Sequence, residues 1–358
     1  MKKFLSILLV LVLSLSLAAC QQTNTTPGPD KGNNDSAAAP TGQDEPKPTK
    51  NLVLYTSAGA SEYELIVKLF NEKYPDIKVD IVTAGTGELT SRINAEKDNP
   101  YGDVLMGGGA TTYLGIADLL EPYATVNKEY LFPDFLSEND LFTPCYINVN
   151  TIIINKTLVK ELGVTIDGWE SLLDERLKGN ISFASPADSS SAMESLINML
   201  AAMSPTGNLD DGWDYAEKFL SNLDGKLAAG SSQAYLNVVE GEYAAGLTNE
   251  DKAITYMKEG ADVTVVYPKE GITLRTSNIG IIKGGPNQYN ARLFVDFVTS
   301  KECQTAMEAE LNVRPARKDV EITTEGRIPT SEIVSIPYPD VKSSEIKTKF
   351  QDLWTKLN

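Results

Sequence analysis

An α/β protein of two lobes is the fold the sequence predicts, and three observations predict it. The chain has 358 residues, a length at which one hydrophobic core normally gives way to two. Its content, 42% hydrophobic and 23% charged, is that of an ordinary globular protein, and 26 Gly with 18 Pro are too few for a fibrous or wholly disordered one. From residue 51 onward, short apolar runs alternate with amphipathic stretches, the pattern of a doubly wound parallel sheet.

The elements follow in order. Residues 52–55 read as a strand. Residues 61–73 read as an amphipathic helix with Leu65, Leu69 and Phe70 on one face. Strands over 78–82 and 103–106 alternate with helices over 88–97 and 111–120. A second series begins after Pro144. It has a long strand over 146–154, a helix over 169–177, a strand over 181–183 and helices over 193–203 and 214–220. Strands over 243–248, 263–267 and 279–282 follow, with a helix over 251–258 between the first two. Helices over 291–299, 301–310 and 344–357 end the chain. No repeat of solenoid period is present.

Composition then narrows the chemistry. Lys and Arg number 32 and Asp and Glu 49, a net charge of −17. Lys2 and Lys3 are the only charges in the first nineteen residues, so without that stretch the balance is 30 against 49, or −19. Such a field repels nucleic acid and serves solubility. There is no histidine, which removes Ser-His-Asp and Cys-His nucleophile systems and every His-ligated metal site. The three cysteines are Cys20, Cys145 and Cys303, none in C-x-x-C spacing.

Met1-Lys2-Lys3 forms a basic start, and residues 4–17 an apolar run too short for a comfortable membrane span. Leu17-Ala18-Ala19-Cys20 is similar to the lipobox of bacterial lipoproteins. That resemblance implies a signal peptide over 1–19, cleavage before Cys20 and lipid on its sulfur and its new amine, enough chains for stable anchoring. Residues 20–50 hold no aromatic and no large aliphatic residue, so they are expected to be a disordered tether. The folded part is then expected outside the cytoplasm, lipid-anchored at a membrane surface. Cys145 and Cys303 remain, either as a disulfide that this compartment permits or as buried small apolar residues.

From residue 51 to the end the chain resembles the bacterial extracellular solute-binding proteins of ABC importers. The residues that carry the likeness are Leu54-Tyr55-Thr56-Ser57, Phe70-Asn71-Glu72-Lys73-Tyr74-Pro75 and Gly85-Thr86-Gly87-Glu88-Leu89. Gly102-Asp103-Val104-Leu105-Met106-Gly107-Gly108 and Gly246-Leu247-Thr248-Asn249-Glu250-Asp251 continue it. Val265-Val266-Tyr267-Pro268-Lys269-Glu270-Gly271, Phe294-Val295-Asp296-Phe297-Val298 and Arg314-Pro315-Ala316-Arg317-Lys318-Asp319 complete it. The resemblance is to the subgroup that takes ferric iron, organophosphates, phosphonates or thiamine. It implies the type II periplasmic binding protein fold, two α/β lobes joined by strand crossings near 144–150 and 273–279. Lobe one would be 51–145 with 278–316, lobe two 146–277, and the tail 317–358 would pack across one of them.

In open α/β sheets a ligand sits beyond the carboxyl ends of the strands. Four such ends are rich in small and hydroxyl residues and each enters a helix. They hold Thr56, Ser57 and Ala58; Thr86; Gly109 and Ala110; and Ser189, Ser190 and Ser191. A helix start leaves amides unpaired and carries partial positive charge, and small residues let an anion approach. Each terminus contributes roughly 0.3–1 kcal/mol, so several together supply much of the ~8 kcal/mol of a micromolar site without any Lys or Arg. Capping and turn formation explain any one of these loops equally well.

The resemblance adds Ser231 and Ser232, in a loop whose family counterpart touches ligand. It also adds Asn249, Glu250 and Asp251, where iron binders carry adjacent tyrosines. Glu250 and Asp251 either accept hydrogen bonds from the ligand or cap the helix that starts there. Without a Tyr-Tyr pair or histidine the iron reading is weakened, though Tyr235, Tyr243, Glu250 and Asp251 offer oxygens. Tyr267 lines the cleft or packs.

The expected function is capture of a small organophosphate or phosphonate by hinge closure, with ferric iron or thiamine phosphate as the alternative. The expected partners are the ligand, an ABC permease with its ATPase, and the membrane through Cys20. A monomer is expected, with no cofactor, no resident metal, no catalytic residue and no nucleic acid. Readings of another class are a ligand sensor, or an anchored hydrolase using Ser189, Ser190 or Ser191, for which there is no histidine base and no lysine within residues 188–196.

Overall fold

A computed structural model describes residues 47–339 and 341–358. The expected signal peptide, the lipidation site Cys20 and the tether as far as residue 46 lie outside the described residues. The described chain is held from Thr49 onward. The Thr49 hydroxyl donates to Asn287 Oδ1 at 2.7 Å, and Asn290 Nδ2 donates to the Thr49 carbonyl at 3.0 Å. Two asparagines at the start of a later helix thus pin the chain before its first strand.

The first half-sheet is built as the alternation predicts. Strand β1 (Asn51–Thr56) leads through α1 (Ala60–Lys73) to β2 (Lys78–Thr83), then through α2 (Thr86–Ala95) to β3 (Val104–Met106) and α3 (Ala110–Leu114). β1 pairs in parallel with β2 on one side and β3 on the other. Its core residues Leu52 and Leu54 face α1, α9 (Gln288–Val298) and α10 (Lys301–Leu311), where Phe70 meets Phe294 and Phe297 edge-on. Val53 and Tyr55 face the opposite layer with Leu89 and Ile93. The expected helix over 111–120 is shorter. Gly115 ends α3, and the chain then turns to make β4 (Leu120–Glu121), which pairs with the distant stretch Ile281–Ile282.

Two long strands connect this half to the other. β5 (Thr143–Asn155) and β9 (Ile272–Ile282) run antiparallel, Val149 opposite Leu274 and Thr143 opposite Ile279. The far end of β9 pairs with β3, so the sheet is mixed and not the all-parallel one expected. The far end of β5 pairs with β7 (Ala245–Asn249) and β8 (Val263–Val266), and β7 pairs in parallel with β6 (Ile181–Ser182). The path reads β2-β1-β3-β9-β5-β7-β6 among the described residues. Around this second half pack α4 (Lys156–Leu162), α5 (Ser190–Ala202), α6 (Trp213–Asn222), α7 (Ser231–Val239) and α8 (Glu250–Lys258). Trp169, Phe183 and Phe219 fill its main core. The fold is the two-lobed one, with β5 and β9 as the crossings.

Local chemistry accounts for the other departures. α4 was absent from the expected elements; Asn155 Oδ1 accepts from the Leu158 amide to start it, and Gly163 at φ 65° stops it. The helix expected over 169–177 is two 3-10 turns, because Asp174 leaves the helical region and its carboxylate accepts from Arg176 N. Cys145 and Cys303 are both buried and free, which settles the pairing alternative for these residues. Burial drives both thiols up, Cys303 to about 12, so neither is a reactive thiolate.

The tail returns across the molecule. β10 (Arg314–Pro315) pairs with β5, β11 (Ser335–Ile336) with β9, and α11 (Ser343–Leu357) sets Ile346 and Phe350 into the core beside α5 and α6. No described helix is long and apolar enough to cross a membrane.

Candidate functional site

Where the two halves face each other lies a cleft of about 470 Å³. The β1 tip contributes Ser57, Ala58 and Gly59, and the first turn of α1 adds Glu62. The β3 tip contributes Gly107, Gly108 and Gly109. From the other half come Ser190, Ser191 and Glu194 of α5 and Asn249 at the end of β7. The crossing strands supply Tyr146 and Asn148 from β5, and Arg275, Thr276 and Ser277 from β9.

The glycine turn is shaped for close approach. Gly107 has φ 105°, and a Cβ there would stand 2.5 Å from Ser57 Oγ; a Cβ on Gly109 would stand 2.9 Å from the Arg275 guanidinium. The α1 and α3 starts carry no side-chain cap, whereas Ser189 accepts from the Ala192 amide to cap α5. Asn249 is oriented by Asn150, whose Nδ2 donates to it at 3.2 Å while Ser195 donates to Asn150 Oδ1 at 2.7 Å.

Charge in the cleft is arranged in two ways. Arg275 is ion-paired with Glu194 and lies over the Tyr338 ring, 4.7 Å from its centroid. Burial raises the Glu194 carboxyl, and Arg275 works against that rise. Burial likewise pushes the Tyr338 hydroxyl up to about 12. Among the described residues Glu62 has no ion-pair partner, although the Lys252 charge reaches it from the adjoining space. Tyr146 donates to it at 2.9 Å, and burial holds its carboxyl above the ordinary range, with Tyr146 opposing and the Asp251 charge assisting.

The cleft continues at both ends. Beyond Glu62, Tyr146, Asn148 and Asn249 a further space of about 180 Å³ reaches Asp251 and Lys252. Beyond Gly109 and Arg275 another of about 320 Å³ reaches Ala110 and Tyr338.

The expected site residues divide accordingly. Ser57, Ala58, Gly109, Ser190, Ser191 and Asn249 border the cleft. Thr86 stands one contact back, its hydroxyl donating to Ser57 Oγ at 2.9 Å. Thr56 is buried beneath, accepting from the Ala58 amide. Ser189 is a helix cap, and Ala110 and Asp251 border the flanking spaces. Ser231 and Ser232 begin α7 and do not line the cleft or the two spaces that extend it.

Glu250 is neither a free ligand acceptor nor a simple cap. It is buried with its oxygens bound to Arg314, Arg327 (3.0 Å) and Tyr267. Tyr267 is thereby a packing residue. An anion site was expected to need no Lys or Arg, yet Arg275 stands on the cleft wall, within the stretch 273–279 where the resemblance implies the second crossing. Glu62, Tyr146, Asn148 and Glu194 were also missed. Among the described residues no three His, Cys, Asp or Glu side chains gather to hold a metal ion.

Known proteins share this architecture. The solved structure of the periplasmic binding protein AfuA from Actinobacillus pleuropneumoniae, with fructose-6-phosphate bound, is 26% identical with a TM-score of 0.66. It covers 86% of this chain and 98% of that one. Iron-bound HitA from Pseudomonas aeruginosa, at 21% identity, shares the fold with a TM-score of 0.66 over 87% of this chain and 100% of its own. A Salmonella typhimurium protein provisionally named as a 2-aminoethylphosphonate-binding periplasmic protein is 26% identical over 254 residues, 69% of this chain and 72% of that one. With residues 66–327 matching the model of the bacterial extracellular solute-binding proteins, the chain belongs to that family.

Proposed function

We propose that this protein is the ligand-capturing component of an ABC importer and that its cargo carries a phosphate or phosphonate group. The observation that carries this reading is Arg275, set against the Gly107–Gly109 turn and facing the starts of α1 and α5. A guanidinium beside helix starts and the hydroxyls of Ser57, Ser190 and Ser191 suits a tetrahedral oxyanion. Names of relatives support it, one for a phosphonate and one with a sugar phosphate bound. Ferric iron wants several phenolate or carboxylate oxygens gathered together; the cleft's tyrosine, Tyr146, donates to Glu62, and among the described residues no three acidic side chains gather to hold a metal ion.

In this reading the lobes are 51–145 with 278–316 and 146–277, and ligand bound between them favours the closed hinge. Lipid on Cys20 anchors a monomer outside the cytoplasm, and the permease with its ATPase takes the closed form. The task is affinity and not turnover, since Glu194, the carboxylate nearest Ser190 along α5, is occupied by Arg275.

Thermal unfolding with added inorganic phosphate, methylphosphonate, fructose 6-phosphate, thiamine phosphate and ferric citrate tests this. A phosphorus compound at a hundredfold excess over its Kd stabilises by about 2.7 kcal/mol and is recovered unchanged. Stabilisation by ferric iron alone, with a visible charge-transfer band, refutes the reading; consumption of the compound refutes the binding role.

A further inference from the structure

Resting on that phosphate or phosphonate reading, we infer that the cargo is a zwitterion and that Glu62 receives its ammonium end. The cleft has two poles. At one, Arg275 stands at the Gly109 turn. At the other, Glu62 and Tyr146 stand where the cleft opens into the space bordered by Asp251 and Lys252, which are ion-paired with each other at 2.8 Å. Of the three formal charges on the cleft wall, Arg275 and Glu194 are ion-paired with each other, and Glu62 takes part in no ion pair.

A guest bearing only negative charge leaves that carboxylate facing it across a half-buried space, where like charges repel strongly. A guest with an ammonium a few bonds from its phosphorus satisfies both poles together. The ammonium has three donors. Glu62 offers Oε1, which Tyr146 does not use and which lies beside the Gly59 backbone at the helix start, and the Asn249 amide oxygen stands at the same end. Sugar hydroxyls also donate to a carboxylate, but they bring no charge to balance it. The shared phosphorus group therefore serves affinity, and Glu62 sets specificity.

Titration calorimetry of the full chain separates the two statements. The probes are 2-aminoethylphosphonate and ethylphosphonate, which share the phosphonate and differ in the ammonium, with fructose 6-phosphate as a neutral-ended control. The expected result is that the amino compound binds roughly ten- to a hundredfold more tightly than ethylphosphonate, the scale of one charge-assisted hydrogen bond. In Glu62→Gln that preference falls to about threefold or less, while ethylphosphonate binds as well or better. Equal binding of the two phosphonates to the native chain, or a preference undiminished in Glu62→Gln, overturns the assignment and leaves the phosphonate reading standing. Tighter binding of the sugar phosphate than of the amino compound also overturns it. No binding of any of the three overturns both.

Discussion

Two glutamates stand in the first turn of a helix, Glu62 in α1 and Glu250 in α8, and their surroundings differ in every respect that matters. Glu250 is buried, and its carboxylate accepts from Arg314 Nε at 3.1 Å and from Arg327 Nη2 at 3.0 Å. Arg327 in turn reaches Glu308 of α10 at 3.2 Å, and Arg314 reaches Thr330 at 3.0 Å. This cluster ties α8, α10, β10 and the returning tail together. Glu62 is half-buried, borders open space, and has a tyrosine for a partner. A carboxylate that is fully paired holds structure, and one left unpaired on a cleft wall is free to select a guest.

Breaking the paired region has the largest expected effect. Removing one member of a buried ion cluster leaves an uncompensated charge, which costs about 3–5 kcal/mol. Arg327→Met is expected to lose that much in urea unfolding, with ligand affinity per folded molecule retained. A loss under about 1 kcal/mol would show that water or a rearranged carboxylate already compensates Glu250.

The same cluster predicts acid sensitivity. Burial alone would raise the Glu250 carboxyl, but Arg314 and Arg327 outweigh it and hold it below its ordinary 4.5. A carboxylate depressed in the folded state contributes stability that is complete above its unfolded value. That stability is lost as pH falls from about 4.5 through the folded value. The native chain should therefore lose stability below pH 4.5 more steeply than Glu250→Gln, measured by melting temperature against pH. Parallel curves would place the acid-sensitive groups elsewhere.

At the other pole, Arg275→Met tests the anion end. Losing a charge-assisted contact costs roughly 1.5–3 kcal/mol, a ten- to hundredfold weakening for every phosphorus compound. The loss should be equal for amino and alkyl phosphonates, unlike that of Glu62→Gln. A selective loss for one of them would mean that the two poles are not separate.

From sequence, Glu250 reads as a ligand acceptor or a helix cap and Glu62 draws no reading at all, for a physical reason. Strand tips are legible because Gly, Ser and Thr cluster there, and that signal led to Ser57, Ala58, Gly109, Ser190 and Ser191, which border the cleft, while Asn249 came from the resemblance. Most of the alternation of strands and helices was legible too, from apolar periodicity alone. What the tips cannot show is a side chain presented from the middle of an element. β5 and β9 cross the gap, so side chains from mid-strand meet the cleft: Tyr146 and Asn148 at a spacing of two from β5, and Arg275, Thr276 and Ser277 in succession from β9. Polar residues alternating within an otherwise apolar long strand were the available signal. Glu250 follows a strand tip directly and so resembled a ligand residue, but its two arginine partners lie more than sixty positions onward in a tail with no periodicity of its own.

The smallest expected effect is the sharpest test of the contrast. Glu62 also stands three residues after Gly59, where a carboxylate can turn back to cap its own helix. If capping were its main service, Glu62→Gln would cost stability at neutral pH, up to about 1 kcal/mol. The raised carboxyl points the other way, since burial, its largest cause, penalises the charged form. A group raised in the folded state contributes stability that is complete below its unfolded value, 4.5. That stability is lost as pH rises through the folded value. At pH 7 without ligand, Glu62→Gln should melt at the same temperature as the native chain or higher. Below pH 4.5 the two should coincide, because the native carboxyl is then neutral as well. A lower melting temperature at pH 7 would make Glu62 a structural residue like Glu250, and the difference between the two would disappear.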